Sequence, residues 1–196
     1  KKAAVTITAN SSNKTYGDSA SFAGTEFTAD GLLRGDTVTS VSLTSDGAGT
    51  GATVAGSPYA IVASAAAGTG LNNYNITYVN GALTVNQKAL TITANSRSKT
   101  YGETVTFAVT EFTTEGLVNG DTVARVDLTS SGAADYALGN GSPYLIVPSG
   151  AAGTGLNNYH ITYVNGILTV NPAGVSMDLS ASHAQSSRGR SVTFVA

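Results

Sequence analysis

The two histidines, His160 and His183, have the widest chemical repertoire in this chain. A hydrolytic triad requires a base beside the nucleophile and a third group that orients the base, and the sequence provides no such set around either histidine. The absence of cysteine excludes disulfides, thiolate metal ligands and a cysteine nucleophile. We therefore predict that the chain has no catalytic residue and is not an enzyme.

The tripeptide Arg34-Gly35-Asp36 matches the motif that integrin ligands carry on exposed turns. The same glycine and aspartate also suit an ordinary turn, because glycine adopts positive φ and aspartate accepts hydrogen bonds from nearby backbone. We favour the turn and keep an integrin-type contact as the alternative.

Two acidic pairs, Glu26 with Asp30 and Glu111 with Glu115, have the same four-residue spacing. Calcium binding requires several converging oxygen ligands, and the sequence has no Asp-x-Asp-x-Asp-Gly run. We predict no metal ligand and no cofactor, with calcium at these pairs as the alternative.

A short segment rich in asparagine and ending in tyrosine occurs twice, each time after Gly-Thr-Gly. It is not a dinucleotide-binding loop, since that fingerprint has a third glycine and a following helix. Tyrosine rings can stack on sugars, so these loops are candidate contacts for a ligand. The candidate residues are Leu71, Asn72, Asn73, Tyr74, Leu156, Asn157, Asn158 and Tyr159.

The charge pattern argues against two classes of partner. The net charge is −2 and only 11% of residues are charged, so no basic surface is available to attract nucleic acid. No run approaches the roughly 20 apolar residues that cross a bilayer. We predict neither nucleic-acid binding nor membrane insertion in this segment.

The chain contains an internal repeat with an offset of 85 residues. Lys14-Thr15-Tyr16-Gly17 recurs at Lys99-Thr100-Tyr101-Gly102, and the offset holds without insertion or deletion. The sequence therefore predicts two domains, residues 3–87 (unit one) and 88–172 (unit two). No flexible linker separates them, so we expect a short, stiff junction and an elongated array.

Thr, Val, Ile and Tyr are frequent, and the apolar residues alternate with polar ones, which predicts an all-β fold. Val5–Ala9 is a first strand, and Ser21–Phe27 is a second. The two runs around Asn80-Gly81 predict a two-residue hairpin, because this dipeptide tolerates positive φ at both turn positions. About six short strands a unit suit a small β-sandwich or a β-grasp-like sheet.

Each unit resembles the MBG domain family of the YGX type. The matching segments are Leu90–Ala94, the Lys99–Gly102 signature, Gly116–Asp121 and Asn158–Val170. The resemblance implies a long, multidomain surface or secreted bacterial protein, and it provides no catalytic residues.

Residues 173–196 do not continue the repeat. Val175–Leu179 and Ser191–Val195 have the alternation of strands, and Gly189–Phe194 resembles the opening of a bacterial Ig-like repeat. We predict the beginning of a further, incomplete domain here.

These observations favour a non-enzymatic structural module, a stiff spacer in a bacterial adhesin or extracellular fibre. The predicted location is extracellular or the cell surface, and the first partners are neighbouring repeats. Two alternatives remain: an adhesive module that binds host or matrix glycans or mucins, and a filament subunit that joins other copies by β-strand pairing.

Overall fold

The computed structural model describes residues 1–176, and the predicted Ig-like segment lies almost entirely outside them. Each unit has seven strands. In unit one they are β1 (Ala3–Ala9), β2 (Ser12–Thr15), β3 (Phe27–Asp30), β4 (Thr37–Thr44), β5 (Tyr59–Thr69), β6 (Tyr74–Val79) and β7 (Gly81–Asn86). In unit two they are β8 (Lys88–Ala94), β9 (Arg97–Thr100), β10 (Phe112–Glu115), β11 (Thr122–Thr129), β12 (Tyr144–Thr154), β13 (Tyr159–Val164) and β14 (Gly166–Asn171).

The described residues contain no α-helix, only 3₁₀ turns at Leu71–Asn73, Gly139–Gly141 and Leu156–Asn158. The all-β prediction is therefore confirmed. Each unit consists of two curled sheets that share one core. In unit one these are a three-stranded sheet, in the order β3-β1-β6, and a four-stranded sheet, in the order β2-β7-β5-β4. Unit two repeats both sheets strand for strand, and the curled sheets give each unit a half-barrel-like form.

The central strands explain the core. In β1, Val5, Ile7 and Ala9 are buried and alternate with half-exposed threonines, as expected for a strand with one face on a core. Ile7 packs with Ile61 of β5 and Leu83 of β7, which belong to the opposite sheet. Burial of apolar side chains from both sheets holds the sheets face to face.

The predicted hairpin at Asn80-Gly81 is wrong. β6 pairs in parallel with β1, whereas β7 pairs with β5 and β2 in the other sheet. Neither Asn80 nor Gly81 has positive φ, so no type I′ turn forms. Gly81 is required for a different reason: a Cβ there would lie 2.7 Å from the carbonyl oxygens of Ala9 and Asn10. The chain crosses between sheets at this point.

The prediction for the second strand is also displaced. The structure places β2 at Ser12–Thr15, before the predicted range, and β3 begins only at Phe27. Ser12–Thr15 is recruited as an edge strand because it pairs in parallel with β7. That pairing is non-local, and alternation within the segment does not report it.

Candidate functional site: the junction between the units

The two candidate binding segments of unit one, Arg34–Asp36 and Leu71–Tyr74, lie at the same end of that unit. The Tyr74 hydroxyl donates to Asp36 Oδ2 over 2.9 Å and accepts from the Leu33 N–H over 2.8 Å. The Leu71–Tyr74 loop and the Arg34–Asp36 turn are therefore one surface. Burial is the main reason that the pKa of the Tyr74 phenol is raised.

Turn geometry accounts for part of the tripeptide. Arg34 has φ 57° and Gly35 has φ 77°, so two consecutive residues adopt the left-handed backbone conformation that forms this turn. Asn119 and Gly120 of unit two have nearly the same values. Arg34 is exposed, and integrin binding stays a prediction.

The equivalent end of unit two forms the junction with unit one. Tyr159 donates to Asp121 Oδ2 over 2.9 Å, and the hydroxyl of Tyr16, from unit one, donates to the same oxygen over 2.9 Å. One carboxylate thus accepts two tyrosine hydroxyls from different units. Burial is the largest cause that raises the pKa of the Tyr159 phenol to about 12, and the Asp121 carboxylate contributes in the same direction.

The two tyrosine rings are also in contact. Tyr16 and Tyr159 meet edge to face, with ring centroids 5.5 Å apart and an interplanar angle of 81°. Tyr16 is only 4% exposed and belongs to the same apolar cluster as Leu90 and Ile92 of unit two. The core of unit two therefore extends across the junction into unit one.

Three further hydrogen bonds fix the orientation of one unit on the other. The Val54 N–H donates to Asn158 Oδ1 over 3.0 Å, and Asn119 Nδ2 donates to the Thr50 carbonyl over 2.9 Å. Gln87, the single residue between β7 and β8, donates through Nε2 to the Asn157 carbonyl over 3.2 Å. Because Asn158 is buried, its contact is shielded from competing water.

Close contact at Gly17 completes the junction. A methyl group at this position would lie 2.7 Å from Val118 Cγ2, so the valine fills the space that a side chain would take. Gly17 also has φ 88°, which favours glycine. In the repeated Lys-Thr-Tyr-Gly signature, Tyr16 therefore provides the aromatic ring that is buried at the junction, and Gly17 leaves the space that Val118 fills.

The candidate loops of the two units thus have different surroundings. The tyrosine is buried and the first asparagine is exposed in both loops, so the difference lies at the second asparagine. Asn73 of unit one is exposed, whereas Asn158 of unit two is buried and accepts a hydrogen bond from Val54 of unit one. A ligand contact of these residues stays a prediction. Gly17, Thr50 and Val54 were not predicted to be contact residues. The lack of a linker and the duplicated Tyr16 and Asp36 positions were the sequence signals that indicated a contact between the units.

The acidic residues of the predicted calcium alternative have other contacts in the structure. The Glu26 carboxylate accepts the N–H groups of Ala23, Gly24 and Thr25, and hydrogen bonding to the backbone at Ala23 is the largest cause that lowers the pKa of Glu26. Glu111 pairs with Arg97 at 3.1 Å. Within residues 1–176, no group of three or more His, Asp or Glu side chains is arranged to hold a metal ion.

Each unit also buries one lysine, and among the described residues the partners of its ammonium group are backbone carbonyls. Lys14 Nζ donates to the carbonyls of Asp18, over 3.0 Å, and Gly49. Lys99 Nζ makes the equivalent bonds to Glu103, over 2.9 Å, and Ala134. These bonds tie the Lys-Thr-Tyr-Gly segment to the loop before β5 or β12, and that loop carries the Thr50 and Val54 contacts of the junction.

Comparison with known proteins identifies the repeated unit. The family model of the MBG domain (YGX type) matches residues 5–84 and again residues 90–169. No curated protein and no solved structure matches the chain. No helix long and apolar enough to span a membrane occurs in the part of the chain that the structure describes. MBG domains are found in extracellular repeat proteins, and the two matches show that this chain belongs to the MBG domain (YGX type) family, as a tandem pair.

Proposed function

We propose that this chain is a non-enzymatic, stiff spacer of a bacterial surface or secreted adhesin-like protein. The observation that carries the proposal is the burial of Tyr16 against Tyr159 and Asp121 across a one-residue connection. A contact of this kind opposes bending between the units, because bending exposes an aromatic ring and breaks a hydrogen bond to a carboxylate. The occurrence of the family in extracellular repeat proteins supports the assigned location.

The mechanism of such a spacer is mechanical. Domains joined by a flexible linker reorient independently of each other. Domains that are docked on each other keep a fixed relative orientation, so the array stays extended in one direction. The hydrogen bonds of Asn158, Asn119 and Tyr16 across the junction together oppose reorientation of unit two on unit one. A distal domain would then be held at a defined distance and direction.

A distance measurement between spin labels tests the proposal. The chain has no cysteine, so the exposed positions Thr28 and Thr113, one on each unit, can be replaced by cysteine and labelled. We expect one narrow distance distribution. Tyr16→Ala should broaden it, while the matched control Tyr101→Ala, at the equivalent position of unit two, should leave it unchanged. A broad distribution in the unaltered chain would refute the stiff spacer.

The glycan-binding alternative is favoured only for unit one, because its loop is exposed. Tyr74 is buried, so its replacement would also disturb the fold. Replacement of Asn72 and Asn73 by alanine is the better test in a glycan and mucin binding screen, with Asn157→Ala as the junction control. Saturable binding that is lost in the Asn72 and Asn73 variants would favour the adhesive module over the spacer.

A further inference from the structure

The two outer ends of the pair reproduce the two halves of the junction. Unit two carries Tyr101 and Gly102 at the positions of Tyr16 and Gly17. Unit one carries Leu33, Asp36 and Tyr74 at the positions of Val118, Asp121 and Tyr159. We call these the tyrosine end of unit two and the aspartate end of unit one.

The tyrosine end has an uncovered apolar surface. Tyr101 is 45% exposed where Tyr16 is 4% exposed, and a methyl group at Gly102 would meet nothing within 4 Å. Tyr136 and Leu138 stand where unit one has Gly51 and Thr53, and they are 77% and 54% exposed. Tyr101, Gly102, Asp135 and Tyr136 line a shallow depression there, so this end presents exposed aromatic and apolar side chains beside one carboxylate.

The aspartate end is arranged to receive such a surface. The Tyr74 hydroxyl is bonded to Asp36 Oδ2, as Tyr159 is to Asp121, and in the junction that oxygen accepts a second hydroxyl. Leu33 is 54% exposed, whereas its counterpart Val118 is covered by Gly17. The acceptor oxygen and the apolar contact of the junction are therefore both present at this end, and Leu33 is exposed.

We infer that the tyrosine end of one copy docks onto the aspartate end of a second copy, so that copies associate head to tail. In this contact Tyr101 donates to Asp36 of the second copy and packs on its Tyr74, while its Leu33 covers Gly102. Such a contact is heterologous, so its repetition joins copies into a filament, or into a ring where the rotation between copies closes. This assembly differs from strand pairing because it uses side chains at the ends of the units.

The sequence carries two aspartate ends, one on each unit. The aspartate end of unit two is docked on Tyr16, whereas Leu33 at the aspartate end of unit one is 54% exposed. Unit one of a second copy therefore offers the tyrosine end a surface that matches the junction.

Mixed disulfide formation tests the contact. Full-length Gly102→Cys protein is mixed with full-length Leu33→Cys protein in a glutathione buffer, and the mixed dimer is quantified. Gly17→Cys with Val118→Cys in one chain is the positive control, since a Cβ at Gly17 lies 3.2 Å from Val118 Cβ. Thr28→Cys replaces Leu33→Cys in the matched negative control.

We expect at least about tenfold more mixed dimer than in the negative control. Adding Tyr101→Ala to the Gly102→Cys chain should remove the excess. A second readout needs no cysteine: amide signals of Leu33, Gly35, Gly102 and Tyr136 should shift together as the unaltered chain approaches about 1 mM, where a millimolar contact is half filled. Equal yields in both mixtures together with unchanged signals would overturn the inference and assign the tyrosine end to another occupant.

Discussion

Replacement of Tyr16 and of Tyr101 by alanine compares one side chain in a docked and an undocked position. Tyr16 is 4% exposed and Tyr101 is 45% exposed. An aromatic side chain buries about 200 Å², so docking removes about 80 Å² of Tyr16 from water, worth about 2 kcal/mol. The hydrogen bond to the Asp121 carboxylate contributes about 1.5 kcal/mol. Tyr16→Ala should therefore cost 3 to 4 kcal/mol more than Tyr101→Ala, as an order-of-magnitude estimate from about 25 cal/mol per Å².

The assay is urea unfolding of the two-unit chain, followed by far-ultraviolet circular dichroism at low protein concentration so that copies do not associate. The unaltered chain should unfold in one transition, because the junction couples the units. Tyr16→Ala should lower the midpoint and separate the transition into two. Tyr101→Ala should keep a single transition and cost only about 2–3 kcal/mol, because it removes the part of the ring that is buried within unit two and no contact of the junction. Equal losses from both variants would refute the reasoning, since Tyr16 would then act within unit one alone.

Three further predictions concern backbone contact and pH. Gly81→Ala should cost about 1–3 kcal/mol in the free energy of unfolding, because its Cβ meets two carbonyl oxygens. The control Gly49→Ala, with open space around it, should be nearly neutral. Equal effects of the two changes would contradict the close contact at Gly81, where the chain crosses between the sheets. The lowered pKa of Glu26 means that its contribution to stability is present above the ordinary value of 4.5 and is lost as the pH falls below it, so Glu26→Gln should flatten the acid limb of stability measured by urea unfolding. The pKa of Tyr159 is raised to about 12, so its contribution to the free energy of unfolding is present below about pH 10 and is lost as the pH rises towards 12. In an absorbance titration, Tyr159→Phe should remove one phenol that ionises at high pH. Loss of a phenol that ionises near pH 10 would contradict the assignment.

Features that depend on neighbours along the chain were predictable. The alternation in β1 predicted a strand with Val5, Ile7 and Ala9 on one face, and these residues are buried. The 85-residue offset predicted that the second half repeats the first, and both halves have the same strand order. Local alternation and internal similarity need no knowledge of distant partners.

Strand pairing was not predictable in the same way. Ile76–Val79 and Ala82–Val85 were correctly expected to be extended, and the hairpin between them was wrong. Parallel pairing of β6 with β1 and antiparallel pairing of β7 with β5 bury apolar faces on both sheets. Asn-Gly favours a tight turn only when no tertiary contact outweighs it.

For the candidate site as well, some features followed from the sequence and others only from the tertiary structure. By itself the sequence determined that the chain is β-rich, that two units follow each other without a linker, and that the Arg34–Asp36 turn and the Leu71–Tyr74 loop each recur. Only the tertiary structure decided that these two segments form one end of a unit, and that Tyr16 reaches Asp121, 105 positions away, at that end of the next unit. A hydrogen bond of this kind depends on the packing of two complete domains, and that packing has no periodic signature in the residues that make it.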